Sequence, residues 1–214
     1  MKTDTWNEVK TRLAAHWGWK SAGIPAGTAG FFVAYFWLLE NPRRPVHVMA
    51  VTEADRWVPF WPGLLPAYLS LWVYVSLAPG LAKNLRELRA VGYGALGLAV
   101  AGLGIFWLWP TAVPVGVIDW AGHGALGMLK GVDAAGNACP SLHVAFAVFA
   151  AMWFARLLRE VGAARWVHAV SWVWCAAIVF STVAIRQHVV LDAVAGAALG
   201  AAAGWINLRL ERKE

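Results

Sequence analysis

"ARWVHAVSWVWCAAIVFSTVAI" (residues 164–185), "RQHVVLD" (186–192) and "AVAGAALGAAAGWIN" (193–207) follow one another without a break. The outer stretches are apolar, and the middle one carries an arginine, a histidine and an aspartate. Crossing about 30 Å of hydrocarbon takes about 20 apolar residues in a helix. In lipid, backbone N–H and C=O groups must be paired within the segment, so both apolar stretches are expected as helices. The second is rich in small residues, which lets a helix approach its neighbours closely.

Working outward, the same criterion marks six spans: Ser21–Leu39, Trp57–Leu77, Val91–Trp109, Ser141–Leu158, Ala164–Ile185 and His188–Ile206. Pro59, Pro62 and Pro66 crowd the entrance to the second. The expected fold is an all-α, polytopic six-helix bundle. It divides into an amphipathic segment (1–20), a six-helix membrane domain (21–207) and a short tail (208–214). In the first segment Trp6, Val9, Leu13 and Trp17 recur at roughly helical spacing among Lys2, Lys10, Arg12 and Lys20. That pattern suits a helix lying on an anionic membrane surface, the alternative being a polar tail; no cleavable leader is expected.

Composition agrees. Of 214 residues, 60% are hydrophobic and 14% charged, and there are 15 tryptophans; mean hydropathy is +0.56. Soluble domains are about 45–50% apolar and about 25% charged, and tryptophan favours the membrane–water interface. The net charge of +6 does not point to nucleic acid, because the basic residues form no stripe or arm but fall between apolar runs. Cys139 and Cys175 lie in different segments and set up neither a disulfide framework nor a zinc site.

The basic residues set an orientation. Lys2, Lys10, Arg12, Lys20, Lys83, Arg86, Arg89, Arg156, Arg159, Arg165, Arg209, Arg212 and Lys213 put thirteen charges on one side; Arg43, Arg44, Arg56, Lys130 and Arg186 put five on the other. Positive charge favours the cytoplasm. Both termini are therefore expected to be cytoplasmic, in a plasma or inner membrane, with "RQHVVLD" and "CPSLHVA" (139–145) together on the extracytoplasmic face.

His188 and Asp192, four residues apart, would share a helix face. A carboxylate bonded to one imidazole nitrogen fixes the tautomer and makes the other nitrogen more nucleophilic. An unpaired carboxylate inside an apolar helix is costly, so Asp192 calls for a partner, and the bland reading is a satisfied polar contact between helices. His143 lies where a helix begins after Pro140, a place whose free N–H groups suit a phosphate oxygen. Ser141 would add a hydroxyl or cap the helix. Arg186 supplies a forked cation matched to phosphate.

"PSLH", followed by "STVAIRQHVVLD", resembles the second and third signatures of the type 2 phosphatidic acid phosphatase superfamily, P-S-G-H and S-R-x5-H-x3-D. The variant form is closer to the branch with inositol phosphorylceramide synthases and their bacterial relatives. The resemblance implies a lipid phosphatase, or a lipid phosphotransferase if an alcohol replaces water as acceptor. It makes His188 the residue that takes the phosphoryl group, Asp192 its orienting carboxylate and His143 the acid and then base. Ser141 and Arg186 would bind phosphate, and no metal or other cofactor is required. The partners implied are a membrane lipid phosphate and the bilayer; oligomeric state is left open.

Three departures stand out: Leu142 replaces the glycine of P-S-G-H, Thr182 replaces the arginine of S-R, and the first signature, K-x6-R-P, is absent. The outward loop "NPRRPVHVMAVTEADR" (41–56) offers Arg43 and Arg44, or Arg56, as substrate-binding cations, with Lys130 a weaker choice. His47, His123 and His168 receive no role. Competing readings are a two-histidine, one-carboxylate metal site, which lacks an H-E-x-x-H base, a serine protease, which lacks G-x-S-x-G, and a non-catalytic transporter or scaffold.

Overall fold

Each apolar run condenses into a helix because no water is available to satisfy its backbone. The computed structural model describes residues 5–114, 124–127 and 137–212; Lys2, His123, Lys130 and Lys213 lie outside the described residues. Among the described residues are α1 (Thr5–Ala14), α2 (Trp17–Glu40), α3 (Glu53–Trp57), α4 (Leu65–Leu69), α5 (Leu71–Gly80), α6 (Leu85–Leu108), α7 (Leu142–Glu160), α8 (Arg165–Ala184) and α9 (Val190–Glu211). Six spans are long and apolar enough to cross a membrane: α2, the Pro62–Gly80 stretch holding α4 and α5, and α6 to α9. Val33, Tyr93 and Val173 are 72%, 70% and 67% exposed, which only a lipid environment makes comfortable. The chain is an integral membrane protein of the expected all-α class.

Helix ends depart from the hydropathy boundaries because caps, not apolarity, stop helices. Asn84 caps α6 by accepting from the Glu87 amide at 2.9 Å, so α6 starts at Leu85, nearly two turns before Val91, and takes in Arg86, Glu87 and Arg89. His16, with φ 54°, turns α1 into α2 at Trp17, ahead of Ser21. The proline-rich second span is built in pieces: a 3-10 turn at Pro62–Leu64, then α4, then α5.

α7 is the buried centre, and α9 lies closest against it. Gly196, Gly200 and Gly204 form the contact stripe. A Cβ at Gly196 would strike the Ser141 carbonyl, one at Gly200 the Ala145 carbonyl, and one at Gly204 would come within 2.8 Å of Met152 Sδ. The small residues of the last span thus serve packing inside the bundle.

One end of the bundle is tied by ion pairs. Arg12 meets Glu8 (2.8 Å) and Glu160 (3.2 Å), Lys83 meets Glu87 (3.1 Å), and Arg156 meets Glu160 (3.0 Å) and Glu211 (2.7 Å). The buried Lys20 ammonium donates to the carbonyls of Arg12, Gly80 and Ala82. These contacts dock α1 on the bundle and supply the pairing that buried charges demand. At the other end, β1 (His47–Val48) pairs in parallel with β2 (Thr111–Ala112), and Thr111 also bridges to Asn137.

Candidate active site

The two polar clusters meet at this second end. Pro140, in a cis bond with Cys139, leads into α7, and the approach is held by Thr111: the Cys139 amide donates to Thr111 Oγ1 (2.7 Å) and the Ala138 amide to its carbonyl (3.0 Å). Ser141 caps α7, accepting from the Val144 amide at 3.3 Å, and its own amide donates to the Asp192 carbonyl at 2.9 Å. That last bond joins the start of α7 directly to the start of α9. The close approach allowed by Gly196 at the Ser141 carbonyl explains why the bond can form.

His143 and His188 line one cavity of about 170 Å³, with Asn137, Leu142, Tyr68, Trp72 and the aromatic face of α2 formed by Phe31, Phe32, Tyr35 and Phe36. His143 is fixed on two sides. Its Nε2–H donates to the Tyr68 carbonyl at 2.9 Å, and its ring stacks on the Tyr68 ring with centroids 3.8 Å apart and planes 9° apart. Leu142 also lines the cavity, and its side chain fills space over Gly102 of α6, where a Cβ would collide with it.

His188 stands in the turn before α9 rather than on it, so its closeness to Asp192 comes from the turn and not from a shared helix face. That turn is a Schellman ending of α8: the Arg186 amide donates to Val183 O and the Gln187 amide to Thr182 O, both at 3.0 Å, with Arg186 in the left-handed region at φ 60°. The His188 amide also donates to Thr182 O (3.0 Å). His188 Nδ1 lies 3.5 Å from Asp192 Oδ2, beyond the 2.7–3.2 Å of a good hydrogen bond. Asp192 Oδ2 accepts from the Val189 amide at 3.1 Å, so the carboxylate also caps α9. Buried His188 Nδ1, Asp192 Oδ1 and the Gln187 side-chain amide have no hydrogen-bond partner among the described residues.

Arg186 is not among the cavity-lining residues. Its guanidinium donates to the carbonyls of Asp55 (3.2 Å) and Val58 (2.7 Å), binding the α3 loop to the His188 turn. Asp55, which the sequence reading passed over, completes this joint by accepting from the Val190 amide (2.6 Å) and from the Thr52 hydroxyl and amide (2.7 Å each). Burial works against the ionised carboxyl, but those three bonds, with Arg186 beside them, hold it below the ordinary carboxylate range. Thr52 and Asp55 form a capping box, a spacing visible in "TEAD"; its link to Val190 has no sequence signal. Burial, reinforced by the Asp192 charge, pushes the Cys139 thiol up to about 11, so it stays a thiol at neutral pH.

Among the described residues, none of the other nominated cations lines the cavity. Arg43 and Arg44 are exposed on the loop after α2, Arg43 lying over the Trp107 ring at 5.0 Å; Arg56 is exposed and pairs with Glu53 at 2.6 Å. Ser141 is buried and engaged as a cap. Among the described residues no group of three or more His, Cys, Asp or Glu side chains is placed to hold a metal ion.

A sequence model of the PAP2 superfamily matches residues 48–206, from β1 into α9. No curated protein and no solved structure matches the chain.

Proposed function

The chain belongs to the PAP2 superfamily, and on that premise we propose that it is a lipid phosphatase that works through a phosphohistidine on the extracytoplasmic face. The observation that carries the reading is the shared cavity: two histidines from separate segments line one apolar-walled space inside a membrane protein. Asp192 lies on the Nδ1 side of His188, which leaves Nε2 to attack phosphorus. As the Nε2–P bond forms and the P–O bond to the lipid breaks, His143 gives a proton to the departing oxygen. It then takes one from the water that cleaves the phosphohistidine, so protons and the phosphoryl group balance over the cycle.

The forming imidazolium at His188 would draw Asp192 in from 3.5 Å to a direct hydrogen bond. The Leu142 and His143 amides, the first two of α7, have no acceptor in the helix ladder and would donate to the phosphoryl oxygens, with the helix dipole behind them. Ser141 acts by shaping that helix start and Arg186 by holding the His188 turn. The excess of basic residues at the opposite end supports cytoplasmic termini.

Replacing water by a lipid or sugar alcohol turns the same intermediate into a phosphotransferase, and the P-S-L-H variant favours keeping that outcome in the test. Purified protein in mixed micelles should release phosphate from phosphatidic acid, and His188→Ala and His143→Ala should each lower the rate by at least about a hundredfold. Phosphate that appears only on an added alcohol, never free, reassigns the protein as a transferase. Unchanged rates in both variants would overturn the phosphohistidine reading, and neither release nor transfer by the wild type would leave only a non-catalytic role.

A further inference from the structure

The stretch "WVPFWPGLLPAYLSLW" (57–72) offers more than an awkward membrane entrance. Its three prolines break the second span into a 3-10 turn, a single turn of α4 and then α5. The junction between α4 and α5 is pinned from outside: Ser70 Oγ donates to Ala67 O (2.6 Å) and accepts from Trp174 Nε1 of α8 (2.8 Å). Directly before that pinned residue but one, Tyr68 presents both its carbonyl and its ring to His143. Trp72, one turn on, stands edge-on to the same imidazole, with centroids 6.3 Å apart and planes at 83°.

We propose that Tyr68 is the positioning residue for His143, holding the plane of the ring by stacking and its Nε2 edge by the backbone carbonyl, so that Nδ1 is the nitrogen that passes a proton to the leaving oxygen. This rests on the proposed reaction and adds to it a seat for the acid, which neither "PSLH" nor "RQHVVLD" supplies. An imidazole on the first turn of a helix has two free side-chain rotations. One hydrogen bond fixes an edge and leaves the ring free to swing about it; a parallel aromatic face removes that swing. Because a carbonyl can only accept, the Nε2 proton stays in place throughout: the acid is the imidazolium, which gives its Nδ1 proton to the leaving oxygen, and the neutral ring left behind takes one back at Nδ1 from the attacking water.

The consequence is specific to leaving groups. A poor leaving group such as a glycerol alkoxide needs the proton as the P–O bond breaks, whereas p-nitrophenolate leaves without it. In purified full-length protein, Tyr68→Leu should slow turnover of dioctanoyl phosphatidic acid by at least about tenfold, since misplacing a reacting group by about 1 Å costs up to about a hundredfold. Release of p-nitrophenol from p-nitrophenyl phosphate, a monoester that forms the same phosphohistidine, should fall by less than about threefold, because its leaving group needs no proton. Tyr68→Phe, which keeps the stacked ring, should recover most of the phosphatidic acid turnover that Tyr68→Leu loses. In a His143→Ala background Tyr68→Leu should cost nothing further.

Equal losses on both probes would make Tyr68 a merely structural residue and overturn the proposal, as would no loss on either. Elution profile and thermal unfolding establish that each variant is folded; if Tyr68→Leu is not, Tyr68→Met carries the same comparison with more of the volume filled. The parent reading fails separately: it falls if His143→Ala keeps its rate on phosphatidic acid, whereas a dead His143→Ala beside a fully active Tyr68→Leu sinks this proposal alone.

Discussion

Arg186 shows how far a single residue can be understood from its letter. Its charge and its place two before His188 are visible in the chain, and they suggest an anion-binding group. Its backbone, at φ 60°, is not visible, because glycine is the usual occupant of that position in a helix ending. A side chain there costs about 1 kcal/mol, and here the guanidinium offsets the cost through the Asp55 and Val58 carbonyls. Two substitutions separate backbone from side chain. Both Arg186→Gly and Arg186→Ala lose the two bonds, worth about 1.5–3 kcal/mol each where a charged donor is involved, but only Ala keeps the strained φ. Thermal unfolding in detergent should therefore rank wild type above Gly and Gly above Ala, the last two separated by about 2–4 °C; an Ala variant as stable as Gly removes the strain from the account. His188, Asp192 and His143 were legible as types and spacings. The route by which His188 meets Asp192 was not, since four-residue spacing implies a helix and the chain uses a turn.

At the scale of elements, α9 carries the clearest test. Its glycines all recur at four-residue intervals, which marks a close-packed face without naming the neighbour. The structure names α7, and it distinguishes the three positions by what each Cβ would meet. Backbone carbonyls of Ser141 and Ala145 cannot yield at Gly196 and Gly200, whereas the flexible Met152 side chain can at Gly204. Overpacking costs about 1–3 kcal/mol, so Gly196→Ala and Gly200→Ala should both unfold at clearly lower temperature than Gly204→Ala. Gly196→Ala should also lose activity out of proportion to stability, because the Ser141 amide that it displaces ties α7 to Asp192. An activity loss no larger than that of Gly200→Ala would detach that joint from the site. The segmented second span illustrates the opposite case: its prolines announced a break, but only the fold shows that the break delivers Tyr68 to His143.

Over the whole molecule, the aromatic residues bracket the bundle. Trp37, Trp57, Trp61, Trp107 and Trp109 are exposed around the cavity end, and Trp6, Trp17, Trp19, Trp166 and Trp205 around the ion-paired end, as expected of rings at two membrane interfaces. The native cysteines are buried, so introduced ones report without background. On intact cells a membrane-impermeant maleimide should label Glu53→Cys at the cavity end and leave Ala164→Cys, before α8, unlabelled until the membrane is opened; the reverse pattern overturns the extracytoplasmic placement of the site. The number of spans, their approximate limits and the identity of the three central polar residues were determined by the sequence alone, because hydropathy, spacing and residue chemistry are properties of each segment taken singly. What the tertiary structure decided is which of those segments share a wall: the cavity common to His143 and His188, the Tyr68 contacts, the joint of Asp55 with Val190, and the engagement of Arg186 away from the cavity. Those depend on how helices distant in the chain are rotated and set against one another, and that is settled by close packing and by the pairing of buried polar groups, neither of which any one segment contains.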